Sequence, residues 1–199
     1  MKKIFLTAFL SISLFAFSQD YSLPAASPRQ KVEQGFSISK ITVDYGRPGV
    51  KGRKIFGELV PYGKVWRAGA NSSTKITFGQ DVIFGGKELP AGTYGLFVIA
   101  NETEWKIIMN KDSQSWGSYS YDEKQNVLDA TVPVKKLADK QEFFEITLDP
   151  IDDNTVNLVL KWDYVKAEVP VKASKSDAIN KIVEKLKEVK KIQADAAKK

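Results

Sequence analysis

Along most of the chain, apolar side chains fall at every second position. Ile41, Val43 and Tyr45 alternate with polar neighbours before the turn Gly46-Arg47-Pro48-Gly49. Ile76 and Phe78 alternate, and Val82-Ile83-Phe84 runs into Gly85-Gly86. Tyr94, Leu96 and Val98 share one strand face, with Phe97 and Ile99 on the other. Trp105, Ile107 and Met109 follow a turn at Asn101-Glu102, and Leu128, Ala130, Val132 and Val134 follow later. Phe144, Ile146 and Leu148 come next, then Val156, Leu158, Leu160, Trp162 and Tyr164 on one face, then a short strand with Val169 and Val171. Period-two runs bounded by Gly, Pro, Asn and Asp predict an all-β fold, an antiparallel β-sandwich of jelly-roll or immunoglobulin-like type. No long helical segments separate the runs, which argues against alternating β-α-β architecture. Phe97, Ile99 and Phe143 make some strands apolar on both faces, so those strands are central or covered, the terminal helix being one candidate cover.

The period changes at the C-terminus. Ile179, Ile182, Val183, Leu186, Val189 and Ile192 follow helical spacing, and the segment 174–199 has no Gly, Pro or aromatic residue. It predicts an amphipathic α-helix capped by Ser174 or Ser176. Its stripe is expected either to pack on the sheet or to drive self-association through the helix. At the other end, Lys2 and Lys3 precede an apolar run from Ile4 to Phe17, and Ala16 and Ser18 are small residues before Gln19. That is the layout of an export signal. The expected organisation is therefore a signal peptide over 1–18, a sandwich over 19–173 and a helix over 174–199. Export would leave the protein periplasmic or extracellular, without a membrane span.

Charge then has a simple distribution. The chain of 199 residues carries 30 Lys+Arg and 24 Asp+Glu, a net charge of +6. Two of those charges lie in the export segment and four on the helix, so the body is neutral. A neutral body gives no reason to expect nucleic acid as a partner. There is no Cys and no His. That excludes Cys nucleophiles, Ser-His-Asp triads and Cys/His metal sites, and no cofactor or resident metal is expected.

One stretch, Gly46 to Asn71, keeps no steady period and holds six Gly, two Pro and three Arg. Such a long irregular connection is usually functional or disordered. Its Ile55, Phe56, Leu59, Val60, Tyr62 and Trp66 predict an ordered excursion across the sandwich. Arg47, Arg53 and Arg67 offer planar forks for an anion, Trp66 a stacking face and Asn71 a hydroxyl reader. The competing reading pairs these arginines with Asp44 and Glu58 as buried structure. In SWGSYSYD, Trp116, Tyr119 and Tyr121 form either a stacking surface for a sugar ring or a lid packed over the sandwich. Trp105 and Trp162 read as core.

Other chemistry is weakly signalled. Asp44, Glu58, Asp112, Asp122 and Glu123 lie in or near loops, where a pair of carboxylates would serve glycoside hydrolysis. Asp149, Asp152, Asp153 and Asn154 offer oxygen ligands for calcium, but a turn is the favoured reading of that cluster. Serine-hydrolase, zinc-protease and phosphate-loop motifs are absent.

Five segments also carry a resemblance: SPRQKV (Ser27–Val32), DYGRPGVKGRKIFGELVPYGKVWRAGAN (Asp44–Asn71), GGKELPAGTYGLF (Gly85–Phe97), EWKIIMN (Glu104–Asn110) and WGSYSYD (Trp116–Asp122). Across Ser27 to Val171 the chain resembles domain-of-unknown-function family 2911, a family of exported bacterial proteins. The resemblance implies secretion and implies no established activity. Family members often carry an Arg after the Tyr-Asp segment, where this chain reads NVLDATV (Asn126–Val132). Members sometimes carry the label asparagine synthetase. This chain has neither the Cys for glutamine hydrolysis nor a loop for ATP, so the label does not fit. The sequence thus points to a non-catalytic envelope binding module for a polyhydroxyl or anionic ligand. A carboxylate-dependent glycan hydrolase is the alternative.

Overall fold

The alternating runs become strands because each can bury one face and leave the other in water. A computed structural model describes residues 23–174 and 177–197, so the signal peptide expected over 1–18 and the expected cap Ser176 lie outside the described residues. The strands are β1 (Arg29–Phe36), β2 (Ser39–Gly46), β3 (Val65–Trp66), β4 (Thr74–Phe78), β5 (Val82–Phe84), β6 (Lys87–Leu89), β7 (Gly92–Ala100), β8 (Glu104–Asn110), β9 (Asn126–Pro133), β10 (Lys135–Asp152) and β11 (Thr155–Ala173), followed by helix α1 (Asp177–Ala196). One antiparallel sheet is ordered β1-β2-β4-β7-β8-β9, with β3 also paired to β7. The other is ordered β10-β11-β5-β6. The two pack as a sandwich. Ile41, Val43, Ile76, Leu96, Val98, Trp105 and Ile107 from the first sheet meet Phe84, Phe144, Ile146, Leu158, Leu160 and Trp162 from the second in one buried core.

Three features depart from the alternation. β11 is one strand of 19 residues, and Val169 and Val171 belong to it rather than to a separate strand. Asp163 takes a positive φ of 54° opposite Gln141, where the register with β10 shifts. This bulge moves the inward phase from Val156, Leu158, Leu160 and Trp162 to Ala167, Val169 and Val171. Tyr164, expected on the core face, is 51% exposed as a result. β1 was not marked by its pattern, because RQKVEQGF is a mostly polar strand at the sheet edge.

The terminal helix does not cover the doubly apolar strands. β7 lies inside its sheet, and its outward Phe97 is covered by Tyr121, with ring centroids 5.0 Å apart. Only the first turns of α1 approach the body: Ile179 is buried, and Val183 lines a groove with Phe36, Pro150 and Val156. Ile182, Leu186, Val189 and Ile192 remain exposed. Of the two alternatives for the stripe, packing on the sheet holds only for its first turns. Among the described residues, no helix is long and apolar enough to cross a membrane.

Candidate functional site

The irregular stretch is ordered by two close approaches. β3 and β4 both pair with β7, at Trp66↔Val98 and Thr74↔Leu96. Residues 67–73 loop out between them while β7 advances by Phe97 alone. The loop's carbonyls are satisfied locally. Trp66 Nε1 donates to Gly69 O at 3.0 Å, and Thr74 Oγ1 donates to Ala68 O at 2.5 Å. Ala68 and Asn71 take positive φ values of 49° and 62°. The loop lies directly on Gly46, where an added Cβ would stand 2.3 Å from Ala70 O, so only glycine fits.

Residues 48–53 lie along the outer edge of β10. Phe144 N–H donates to Pro48 O at 2.9 Å, and Val50 N–H donates to Glu142 O at 2.8 Å. Arg53 folds back on this turn, its Nε donating to Val50 O at 3.1 Å and its Nη2 to Gly49 O at 2.6 Å.

Where the two loops meet, Arg53, Trp66, Arg67 and Asn71 line one cavity of about 310 Å³. Ser27, Pro48, Leu59, Val60, Gly69, Ala70 and Trp162 complete its wall. Two arginines and no carboxylate line it. The expected structural partners are engaged elsewhere: Asp44 with Arg29 at 2.7 Å and Glu58 with Lys54 at 3.2 Å. Among the described residues, neither Arg53 nor Arg67 forms an ion pair. Arg67 Nε is buried without a hydrogen-bond partner, and so is Trp162 Nε1. Burial pulls the Arg67 guanidinium below its ordinary pKa, and nearby Tyr119 opposes that shift.

The other candidates divide. Arg47 is not at the cavity. Its Nε donates to Phe144 O at 3.1 Å, its Nη2 lies 3.6 Å from Glu145, and it stands 6.0 Å over the Phe143 ring. Trp66 offers no open stacking face, because it stacks on Trp162 inside the core. Tyr121 packs on Phe97, and its hydroxyl accepts from Asn126 Nδ2 at 2.8 Å. Trp116 and Tyr119 are 65% and 91% exposed. Trp105 and Trp162 are core, as their parity predicted. The pattern gave no sign that Trp162 also reaches the cavity, because parity reports a face and not what lies beyond the strand.

The loop carboxylates form no hydrolytic pair at this cavity. Asp112 accepts from Ser115 Oγ and from Gln114 N–H, which holds its carboxyl below the ordinary value. Asp122 caps the short helix Glu123–Gln125 by accepting from Lys124 N–H at 3.0 Å. Asp152 Oδ1 accepts from Asn154 N–H at 2.8 Å, so that cluster makes the β10–β11 turn. Asp152 and Asp153, with Asp81 and Glu88, line a separate cavity of about 710 Å³. Among the described residues, no group of three or more acidic side chains is placed to hold a metal ion.

Comparison with curated proteins gives no match, and comparison with solved structures gives none. The family model described as "Protein of unknown function (DUF2911)" matches residues 27–171, a span that holds the whole cavity but not the terminal helix, and the chain belongs to that family.

Proposed function

We propose that this protein is an exported, non-catalytic binding protein whose Arg53–Arg67 cavity receives the anionic group of an envelope ligand. One observation carries the reading. Two buried N–H donors without acceptors, Arg67 Nε and Trp162 Nε1, belong to residues lining a cavity that has two guanidinium groups and no carboxylate. A buried donor left unpaired costs about 1–3 kcal/mol. A ligand oxygen that accepts from it removes that cost, and guanidinium groups favour carboxylate or phosphate oxygens. Asn71 at the rim adds a donor and an acceptor for hydroxyl groups. Export is supported by Lys2 and Lys3 ahead of the apolar run and by the small residues before Gln19.

The binding test is calorimetric titration with inorganic phosphate and with succinate, using the wild type and Arg67→Gln. Saturable binding by the wild type and its loss in the variant are expected. A folded Arg67→Gln protein that binds both anions like the wild type overturns the reading. Cell fractionation with N-terminal sequencing tests export; a cytoplasmic protein that keeps Met1 refutes it.

Self-association belongs to the same proposal. The exposed Ile182, Leu186 and Val189 repeat at four- and three-residue steps, the spacing of a helix-pairing seam. An unchanged number of chains per particle after deletion of residues 185–199, measured by light scattering, removes this part.

A further inference from the structure

Trp116 and Tyr119 are large aromatic side chains left 65% and 91% exposed, and neither has a ring partner among the described residues. Their backbone is nevertheless tightly held. Ser73 donates to Ser115 O through its N–H at 3.0 Å and its Oγ at 2.5 Å. Gly117 N–H donates to Asn71 O at 3.1 Å, and Ser72 forms a β-bridge with Trp116. Asp112 sits so close over β7 that a Cβ on Gly95 would stand 2.1 Å from Asp112 O. Ser113 and Ser115 are buried. A fixed strap therefore presents the two rings to solvent.

The strap is tied to the anion cavity by a shared residue. Asn71 lines the cavity and also accepts the Gly117 N–H, and Gly117 lies between the two aromatics in sequence. Arg67 and Tyr119 are neighbours across this junction. Exposed aromatics on an anchored segment beside a charged pocket are the composition of a recognition surface. Their openness selects the ligand. An apolar aromatic acid gains most from an enclosed slot, whereas a sugar ring stacks one CH face and keeps its hydroxyls in water. Ser118, Ser120 and the Asn71 side chain supply polar groups for those hydroxyls. The cavity's roughly 310 Å³ lies at the small end of ligand pockets, about 300–1,000 Å³, so it suits an acidic group with little more.

From these placements we infer that the ligand is an acidic saccharide, with its acid in the Arg53–Arg67 cavity and a neighbouring ring on the Trp116–Tyr119 platform. The inference rests on the anion-binding reading of the cavity. It is tested by titrating the full chain with trigalacturonate, with uncharged galactotriose, with glucose 6-phosphate and with inorganic phosphate. Wild type, Arg67→Gln and the double variant Trp116→Ala/Tyr119→Ala are compared. Both aromatics are exposed, so the double variant should keep the wild-type melting temperature. Trigalacturonate or glucose 6-phosphate should bind the wild type at least about tenfold more tightly than galactotriose, and whichever binds identifies the acid as carboxylate or phosphate. The double variant should lose at least about tenfold in acidic-saccharide affinity while its phosphate affinity stays within about twofold. Equal binding of galactotriose, or no acidic saccharide bound more tightly than phosphate, overturns the inference. So does an unchanged saccharide affinity in the double variant, and in that case the anion reading still stands if Arg67→Gln abolishes phosphate binding. Loss of neither anion nor saccharide in Arg67→Gln overturns both.

Discussion

Trp66 and Trp162 stack with centroids 5.7 Å apart and planes 19° from parallel, yet only one indole is satisfied. Trp66 Nε1 donates to Gly69 O at 3.0 Å, and Trp162 Nε1 has no acceptor. The two rings come from opposite sheets, so the stack is also a contact between the two layers. Replacing either by Phe removes comparable apolar area. Trp66→Phe also unpairs the Gly69 carbonyl that orders the 67–73 loop, whereas Trp162→Phe removes an unsatisfied donor. Trp66→Phe is therefore expected to cost about 1–3 kcal/mol more than Trp162→Phe. Urea unfolding of the two variants measures the difference, and equal losses would show that the Trp66 hydrogen bond is not what orders the loop.

Tyr45 joins the sheets by a different device. Its side chain is fully buried, and its Oη accepts from Ile146 N–H at 2.9 Å. The same hydroxyl lies 3.3 Å from Ile146 O and 3.2 Å from Gln30 Oε1 as donor. β10 is an edge strand, so a side chain from the facing sheet satisfies an amide that no neighbouring strand can reach. Tyr45→Phe keeps the ring on Phe144 and leaves that amide buried and unpaired. A loss of about 1–3 kcal/mol is expected in chemical unfolding. A change within about 0.3 kcal/mol would show that the amide finds another acceptor.

The β-sandwich and most of its core were legible because a strand with one buried face writes its burial into every second residue. The reading failed where phase changes without a sequence marker: Asp163 carries no Gly or Pro to announce the bulge that turns Tyr164 outward. The irregular stretch was recognised by its lack of period, and four of its candidates, Arg53, Trp66, Arg67 and Asn71, do meet at one cavity. Their division of labour was not legible. Which Arg meets a carboxylate depends on tertiary neighbours, and Glu145, which lies near Arg47, is 98 residues away in sequence. Trp162 reaches the cavity from a strand whose alternation reports only that it is buried.

Lys87 and Asp129 clip the sheets together at β6 and β9. Lys87 Nζ lies 2.8 Å from Asp129 Oδ1 and 2.7 Å from Asp129 O, and Lys106 approaches the other carboxylate oxygen at 3.5 Å. The Lys87 hydrogen bond holds the Asp129 carboxyl below its ordinary value, against a smaller opposing effect of burial. A carboxyl depressed in the folded state adds stability above its unfolded value, about 3.9, and loses it as pH falls through the lower folded value. The pair is partly exposed, so its worth is at most about 1 kcal/mol. Asp129→Asn is expected to be less stable than wild type by up to that amount at neutral pH and equal to it once Asp129 is protonated. Unfolding titrations at pH 7, 4 and 2.5 follow this. A gap that persists unchanged at pH 2.5 would mean the ion pair is not its source.

The terminal helix divides into a docked start and an undocked remainder. Ile179 is buried and Val183 lines the groove beside Phe36, Pro150 and Val156, while Ile182, Leu186, Val189 and Ile192 are exposed. Beyond the groove, α1 has the pairs Lys187–Glu184 and Lys185–Glu188, both at 2.9 Å. Pairs of this kind contribute only about 0.2–0.5 kcal/mol each, and a helical piece as short as the one beyond residue 184 is marginal in water without a partner. The sandwich therefore owes little to the distal part. Deleting residues 185–199 is expected to change the unfolding free energy of the body by less than about 0.5 kcal/mol. Deleting 177–199 also removes Ile179, whose burial is worth about 1.5–3 kcal/mol, and should destabilise visibly more. Thermal unfolding of both truncations in dilute solution separates the two contributions. A large loss from the shorter deletion would show that the exposed stripe is part of the fold, and that the helix has a partner on its own body.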